Sequence, residues 1–293
     1  MNSADLRVFE AVARSGGMNR AAAELNTVQS NVTARIKHLE EKVGTPLFHR
    51  RGRGVELTAA GRRLLPYASR VAGLIADAGR AVRDDGDPSG ALVIGSLETT
   101  VALRLSPVLG VYVASHPAVD LVLRTGTTCE LVEDVLEHRL EGAFVCGPVD
   151  HPELEEEAVF QEELALLTDR TVRSLDGLAR KSDLKIVVLR AGCSYRLRLE
   201  AILAKRGIVG FRLLEFGTIE ALLSCVSAGL GVTLLPRGLI SPVWRDDRLA
   251  VHKLPKAEAT VETTFIRRRE AFASSALLAF LQCAREAARA EAM

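Results

Sequence analysis

A cluster of hydrogen-bonding side chains lies near residue 30. Its members are Gln29, Ser30, Asn31, Thr33 and Arg35. Amides and hydroxyls donate and accept hydrogen bonds, and a guanidinium donates several in a fixed plane. Base edges in the major groove of DNA present a matching set of donors and acceptors. Taken alone, a polar helix face is more often simply solvated, so the neighbouring elements must decide between these two interpretations.

The helix that carries these side chains has an apolar stripe on its other face. Val32, Ile36 and Leu39 recur at spacings of four and three, which predicts packing against a neighbour. A helix over 18–25 precedes it, separated by a short turn, and an earlier helix ends at the Ser-Gly-Gly of residues 15–17. Three helices packed this closely can present the N-terminal end of the third one to a groove.

A basic segment, LFHRRGRGVEL, follows the third helix and predicts a short hairpin with a basic tip. Arg50, Arg51 and Arg53 can contact flanking phosphates or enter a minor groove, although three arginines alone are usually only surface charge. The helices and the hairpin together predict a winged helix-turn-helix DNA-binding domain over residues 1–58.

A long helix is predicted next, capped by Thr58 and assigned to residues 59–88. Pro66 is expected to kink or loosen it. The helix ends in DDGDPSG, typical of a linker, which favours a dimerisation helix over one packed on its own domain. Spacings of four and three alternate along an apolar seam of the coiled-coil type, made of Leu64, Ala68, Val71, Ile75, Ala78 and Val82.

The remaining residues, 89–293, have the pattern of an α/β domain. Short apolar runs alternate with helical segments, which predicts mostly parallel sheets and two lobes. We assign about 91–163 and 268–293 to lobe I and about 164–267 to lobe II. Ligands of such folds bind at the carboxyl ends of strands, between the lobes. The runs read as strands are ALVIGS, VDLVLRTG, GAFVCG, LALLTD, KIVVLRAG and GVTLLP.

Composition excludes several classes of protein. No apolar run approaches the length of about 20 residues that a membrane span needs, and the first residues lack a basic-then-apolar leader, so we expect a cytoplasmic protein without membrane partners. Five scattered cysteines without a CxxC pair favour reduced thiols over disulfides or a zinc site. Residues 1–90 hold 14 Lys and Arg against 10 Asp and Glu, and the rest hold 24 against 27, a bias that suits a polyanion at one end but is also compatible with chance.

Enzyme signatures are missing from the sequence. GxSxG, GxGxxG, Walker and HExxH patterns do not occur, and the six histidines fall at no metal-ligand spacing. We therefore predict no catalytic residues, no metal and no cofactor. A solute-binding protein would share the two-lobed body, but it would need an export signal and would not need residues 1–90.

The chain resembles the LysR-type transcriptional regulators over essentially its whole length. The resemblance lies in LRVFEAVARSGGMNRAAAELN, in VTARIKHLEEKVGTPLFHRRGRGVELTAAG, and in GLGVTLLP near residue 230. Two departures affect DNA readout: Val28-Gln29-Ser30 replaces the common Ser-Gln-Pro, which removes a helix cap, and Ala34 replaces a longer polar side chain.

The resemblance implies a winged helix-turn-helix, a linker-helix homodimer and a two-lobed, periplasmic-binding-protein-like effector domain. It also implies a homotetramer on double-stranded promoter DNA, controlled by a small-molecule effector. Within the family, GSLETT, CSYR and GAFVCGPVDH are most similar to segments of a putrescine-utilisation regulator.

By the same resemblance, the effector contacts loops of both lobes. Glu98 can pair with a cationic amine and Arg196 with a carboxylate, and both possibilities stay open. Many of the hydroxyls are also ordinary helix caps. The candidate effector residues are Ser96, Glu98, Thr99, Thr127, Cys193, Ser194, Arg196 and Thr218.

Cys193 suggests an alternative, a thiol-based redox-responsive regulator. It falls near the reactive thiol of the peroxide-sensing branch of the family, although Ile202 stands where that branch has its second cysteine. Nearby positive charge favours a thiolate that could form a reversible sulfenic acid. A semi-buried residue lining the cleft is the simpler interpretation.

Overall fold

The protein is described here from a computed structural model that covers residues 1–51, 54–175, 178, 183–190, 192–240 and 248–292. The chain forms two compact units: the first comprises residues 1–85 and 137–139, and the second takes the rest of the described chain. Among the described residues, no helix combines the length and the apolarity needed to cross a bilayer.

The first unit is a helical bundle with a two-stranded hairpin, as predicted. Its elements in chain order are α1 (Ser3–Ser15), α2 (Met18–Glu24), α3 (Gln29–Val43), β1 (Phe48–Arg51), β2 (Gly54–Leu57) and α4 (Ala59–Arg83).

Helix boundaries in this unit follow local chemistry. Asn2 and Asp5 form a capping box at the start of α1, each side chain accepting from the other residue's backbone amide. Gly16 and Gly44 end α1 and α3 in the left-handed conformation, with φ of 65° and 70°. These helices bury a shared core in which the rings of Phe9 and Phe48 lie 5.2 Å apart.

Helix α4 divides the predicted seam in two. Ala68 is fully buried, and Leu64 and Val71 pack against the core of the first unit. Ile75 and Val82 are instead 54% and 88% exposed. The prediction that the whole seam faces a second protomer was therefore wrong for its N-terminal half, because this half packs on α1 within the same unit. The helix continues through Pro66.

The hairpin and α4 meet at a tightly packed junction. The Thr58 hydroxyl donates to the Pro46 carbonyl (2.8 Å) and accepts from the Gly61 amide (3.0 Å), so it caps α4 while holding the hairpin. A Cβ atom at Gly61 would lie 2.3 Å from the Leu47 carbonyl oxygen, so this position excludes any side chain.

The second unit alternates strands and helices. Its strands are β3 (Gly90–Ser96), β4 (Val119–Thr125), β5 (Gly142–Cys146), β6 (Leu154–Asp169), β7 (Lys185–Leu189), β8 (Arg212–Phe216), β9 (Thr233–Pro236), β10 (Leu249–Lys253) and β11 (Thr260–Arg268). Its helices are α5 (Glu98–Thr100), α6 (Ser106–Ser115), α7 (Thr128–Leu136), α8 (Ser194–Lys205), α9 (Ile219–Ser227), α10 (Lys256–Ala259) and α11 (Ser275–Ala292). A π-helical turn, Val101–Leu105, joins α5 to α6.

Strand β6 belongs to both lobes. Its first half pairs with β11, up to Glu163, and its second half pairs with β9 and β10, from Leu164 onward. Because all of these pairings are antiparallel, the sheets are mixed, and the expectation of mostly parallel sheets was wrong. Parallel pairing is found between β3 and its neighbours β4 and β5, and between β7 and β8.

The return of the chain to lobe I comes earlier than residue 268. Strand β11 pairs with β5 and with the first half of β6 throughout Thr260–Arg268, so 260–267 lies in lobe I. Strand β11 was not predicted because TVETTFIRR mixes polar and apolar residues. The first half of β6 was not predicted because it is rich in glutamate, as a strand that packs through only one face can be. The aromatic core of lobe I centres on Phe144, which is fully buried.

A buried ion pair braces the point where β6 crosses between the lobes. Arg104, in the π-helical turn, donates to both carboxylate oxygens of Glu162, at 2.6 and 3.0 Å. The Arg104 guanidinium also lies 5.9 Å from the centre of the Phe160 ring. This pairing ties the π-helical turn between α5 and α6 to the shared strand.

We predict opposite effects for the same substitution at two positions of α4. Gly61→Ala should destabilise the first unit by about 1–3 kcal/mol through overpacking against the hairpin backbone. Gly79→Ala meets only the flexible end of Arg83 at 3.3 Å, so it should be neutral or stabilise by up to about 1 kcal/mol through helix propensity. Urea unfolding followed by circular dichroism measures both, and equal effects would contradict the described junction.

Candidate nucleic-acid interface and ligand cleft

The N-terminal end of α3 presents an exposed polar face. Gln29, Ser30 and Asn31 are exposed, and Thr33 is half-buried. The Gln29 amide donates to the Thr33 hydroxyl (3.1 Å), and the Asn31 amide donates to the Thr27 hydroxyl (3.0 Å). These bonds restrict the side chains before any partner arrives, which lowers the entropy cost of binding through them.

Arg35 differs from the other predicted residues of this face. Its guanidinium donates to the Asp5 carboxylate (3.3 Å), and Asp5 is only 2% exposed. A buried carboxylate requires such a partner, so this pair fixes α3 against α1. Arg35 therefore positions α3, while its side chain stays 39% exposed.

Val28 was not among the predicted residues, yet it lies beside the polar face. It is the N-cap residue of α3, makes no side-chain cap, and is 65% exposed. The start of α3 therefore has no side-chain cap, as the replacement of serine by Val28 predicted. An exposed apolar side chain beside hydrogen-bonding ones suits contact with a thymine methyl group.

The hairpin is anchored at both ends, which places its basic residues. Arg50 and Arg51 lie in β1, opposite Val55 and Gly54, and Arg53 lies outside the described residues. The Val55 amide donates to the carbonyl at the end of α1, 3.2 Å away. At the base, the Glu40 carboxylate of α3 accepts from the amides of residues 47 and 48, at 2.7 and 3.2 Å.

The second unit contains a cleft between its two lobes. The carboxyl ends of β3 and β4 face the start of α8 and the loop before α9, and the cleft that they form is partly open to solvent. The lining residues are Leu97, Glu98, Thr99, Thr125, Gly126, Thr127, Leu189, Arg190, Cys193, Tyr195 and Gly217.

Half of the predicted effector residues line this cleft. Glu98, Thr99 and Cys193 do so without forming a side-chain helix cap. Thr127 instead caps α7, because its hydroxyl accepts a hydrogen bond from the Glu130 amide at 3.3 Å. The Thr127 amide and hydroxyl both donate to the Glu130 carboxylate, at 2.8 and 2.9 Å. The sequence had left open whether such hydroxyls cap helices or contact an effector, and the Thr127 hydroxyl does cap a helix.

The other half do not line the cleft. Ser96 is fully buried and donates to its neighbour's carbonyl (3.1 Å). Thr218 caps α9 by accepting from the Ala221 amide (3.3 Å). Arg196 donates to Glu200 one turn along α8 (2.9 Å), and Ser194 donates to Thr128 (3.0 Å). Short polar side chains next to strand ends therefore do not by themselves identify lining residues.

Hydroxyl pairs join the lobes across the cleft. Thr99 of the first lobe and Tyr195 of the second lie 3.3 Å apart, oxygen to oxygen, and both are buried. Ser194 and Thr128 form the second pair. Tyr195 was not among the predicted effector residues, although its neighbours Cys193, Ser194 and Arg196 were.

The charged groups around the cleft act on one another. Burial, and then the negative charge of Glu220, raise the pKa of Glu98, while Arg190 and the Ile219 amide lower it by less. The pKa of Glu130 is lowered, first by the hydrogen bond from the Thr127 amide. Arg190 and Glu220 were not among the predicted residues.

The thiol of Cys193 lacks the features of a redox sensor. Burial raises its pKa above the ordinary cysteine value, so the protonated form dominates near neutral pH, and the protonated thiol is not the nucleophile. Ile202 is buried within the second lobe. Among the described residues, this arrangement favours the simpler interpretation of Cys193 as a lining residue.

Comparison with known proteins gives two family matches that together span most of the chain. The family described as "LysR substrate binding domain" matches residues 85–289. The family described as "Bacterial regulatory helix-turn-helix protein, lysR family" matches residues 3–62.

Individual relatives cover nearly the full length. The chain is 43% identical to the HTH-type transcriptional regulator YusT of Bacillus subtilis over 96% of this chain and 94% of that protein. It is 41% identical to the HTH-type transcriptional regulator GltR of the same organism over 96% and 95%. A solved structure, full-length CbnR complexed with its target DNA, superposes with a TM-score of 0.65 at 26% identity, over 98% of this chain and 100% of that one.

We predict that the exposed face of α3 reads bases. Gln29→Ala or Asn31→Ala should cost about 1–3 kcal/mol of binding free energy on the cognate operator and little on random DNA, because each removes base-specific hydrogen bonds. Fluorescence anisotropy with labelled duplexes measures the difference. Thr45→Ala, an exposed polar residue beyond the end of α3, is the matched control; equal losses on both DNAs would remove Gln29 and Asn31 from base readout.

Proposed function

Because the chain belongs to the LysR family of DNA-binding transcriptional regulators, we propose a division of labour along it. Residues 1–58 bind operator DNA, residues 59–88 pair two protomers, and residues 89–293 bind a small-molecule effector. The observation that carries this proposal is the exposed, pre-ordered polar face of α3, which is held from behind by a buried core.

DNA recognition is divided between two surfaces of the first unit. The helix α3 enters the major groove, with Val28 beside its polar face, and its polar residues read base edges. These residues are Gln29, Ser30, Asn31, Thr33 and Arg35. Arg50, Arg51 and Arg53 contact the flanking backbone, which adds affinity that depends on salt but little sequence preference.

The linker helix supplies the protomer contact. Leu74, Ile75 and Val82 are exposed apolar residues on the C-terminal half of α4. A groove between this half and α1 is lined by small apolar residues such as Ala72 and by charged residues such as Arg7 and Glu10. A second copy of α4 would bury this surface. Two such dimers would form a homotetramer on a promoter, as the resemblance to the family implies.

The effector acts through the cleft of the second unit. Glu98, Thr99, Thr127 and Cys193 lie in its lining, whereas Ser96, Ser194, Arg196 and Thr218 support it from behind or beside it. A ligand shifts the balance between two conformations only as far as its affinity for them differs. Contacts to both lobes provide such a difference, since they exist only when the lobes are close together.

The protein acts by binding, as a regulator in the cytoplasm, and without catalytic residues, metal or cofactor of its own. Its relatives are transcriptional regulators, which supports this proposal. The redox alternative through Cys193 gains no support from the buried, protonated thiol.

A mobility-shift experiment tests the proposed function. The full chain should shift the DNA upstream of its own gene at concentrations that leave random DNA free, and a chain lacking residues 1–88 should shift neither. Specific binding by the shortened chain would contradict the division of labour, and no specific binding by the full chain would contradict the function itself.

We predict that Ile75→Asp breaks the linker contact. An unpaired charge buried in an apolar interface costs several kcal/mol, so the sedimenting mass should fall, and operator affinity should fall with it because each protomer then holds one half-site. Sedimentation velocity and operator titration measure these effects. Val209→Asp, at a residue 80% exposed in the second unit, is the control; an unchanged mass for Ile75→Asp would show that α4 does not form the contact.

A further inference from the structure

Val28 is an exposed apolar side chain held rigidly at the start of α3. It is the N-cap residue, its backbone is extended (φ −94°, ψ 149°), and it is 65% exposed. Its carbonyl accepts hydrogen bonds from the amides of Asn31 (3.1 Å) and Val32 (3.3 Å), which fix the backbone that carries the side chain. A β-branched side chain is also stiff about its first torsion, so it has little freedom to lose on binding.

Packing within the protein does not account for this valine. Leu25 and Val32, which flank it in the sequence, pack in the apolar core of the first unit, whereas Val28 is not among the described residues of that core. Single exposed apolar side chains are common on protein surfaces, so exposure alone assigns no role. The position does, because the residues at the N-terminal end of such a helix are those that reach base edges in the major groove.

Two carboxamides near Val28 are already oriented. The Asn31 amide donates to the Thr27 hydroxyl (3.0 Å), and the Gln29 amide donates to the Thr33 hydroxyl (3.1 Å). Each side chain keeps its carbonyl oxygen and one N–H for a partner, and these groups pair with N6 and N7 of adenine. The thymine of an A·T pair presents its C5-methyl group in the same groove. An apolar side chain next to such carboxamides therefore matches an A·T pair.

The chemistry of valine limits what this position can contact. The side chain has neither donor nor acceptor, so it forms no hydrogen bond with a phosphate or with a polar atom of a base. Valine is also among the least favourable N-cap residues, so it does not stabilise the start of α3. The apolar group that base edges present in the major groove is the C5-methyl group of a pyrimidine.

We propose that Val28 is a specificity-determining residue that contacts the C5-methyl group of a pyrimidine in each half of the operator. This inference rests on the proposed function, since it assigns base readout to a residue of the same DNA-binding surface. Thymine carries the methyl group in all DNA, and 5-methylcytosine carries it in methylated DNA. The two bases differ beside the methyl group, where thymine has an oxygen acceptor and cytosine an amino donor.

The first experiment defines the preferred sequence and its dependence on Val28. Duplexes that bind the full-length protein are selected from a random library, and the selection is repeated with Val28→Ala. The wild-type protein should prefer thymine at one position of each half-site, and Val28→Ala should lose that preference while it keeps the others. Val28 forms no side-chain cap, so alanine should leave the fold intact, which circular dichroism checks.

Replacement of thymine by uracil then tests the methyl group alone, since uracil differs from thymine only in lacking it. At the position that depends on Val28, a single replacement should weaken wild-type binding by about three- to fivefold, the size expected for one methyl group removed from water. In Val28→Ala the same replacement should have no effect. Fluorescence anisotropy with labelled duplexes measures both.

Val43→Ala is the matched control, because Val43 is an exposed valine at the opposite end of the same helix. It should keep the wild-type sequence preference and the wild-type response to uracil.

A methylated duplex distinguishes the two sources of the methyl group. If 5-methylcytosine is the base recognised, uracil replacement has no effect, methylation of one cytosine strengthens wild-type binding by the same factor, and Val28→Ala abolishes the gain. This result supports the contact and assigns it to the second source.

A uracil effect of equal size in the wild type and in Val28→Ala overturns the inference, since another apolar group, such as the exposed Ala34, would then make the contact. Binding that ignores the methyl groups of both thymine and cytosine also overturns it. In both cases the full chain still selects a DNA sequence. Failure of the proposed function would instead appear as the absence of any selected sequence, so the two failures are distinguishable.

Discussion

The hydrogen-bond ladder of β6 is the constraint on which the second unit depends. One strand of 16 residues serves two sheets, and its antiparallel neighbours change between Glu163 and Leu164. Neither lobe can lose the strand without leaving a row of backbone groups unpaired. The Arg104–Glu162 pair next to this change ties the strand to the helix after β3. The cleft therefore lies between two lobes that share one continuous strand.

A small change in the angle between the lobes would alter the hydrogen bonds that cross the cleft. The Thr99–Tyr195 and Ser194–Thr128 pairs each join the two lobes. Such contacts are short-range, so they are made or lost together as the lobes move. A ligand that adds to them stabilises the closed form by its differential affinity, which is the physical requirement for effector control.

In the first unit, polar contacts orient a surface whose stability comes from apolar packing. Val32, Ile36 and Leu39 bury the inner face of α3, which leaves its outer face free. The Asp5–Arg35 pair and the Glu40 carboxylate then fix α3 relative to α1 and to the hairpin. These contacts set the orientation of α3, and the apolar core of the unit stabilises it.

Periodicity and turn chemistry determined much of the fold from the sequence alone. The three helices, the hairpin and the long α4 follow from local patterns, because apolar spacing and the glycines at 16 and 44 act within a few residues. The strands that consist almost wholly of apolar residues could also be predicted from the sequence. The family assignment rested on the same N-terminal segments and agrees with the matches to known proteins.

Contacts distant in sequence decided the rest. Whether Leu64 faces a partner or its own core depends on α1, some fifty residues earlier, and β11 joins lobe I only because β5 and β6 offer it edges. The same reason separates the effector residues: Thr99 and Ser96 are alike in sequence, yet one faces Tyr195, 96 residues away, and the other bonds its own neighbour. Spacing along a chain sets which face a side chain lies on, but only the packed fold determines what lies opposite it.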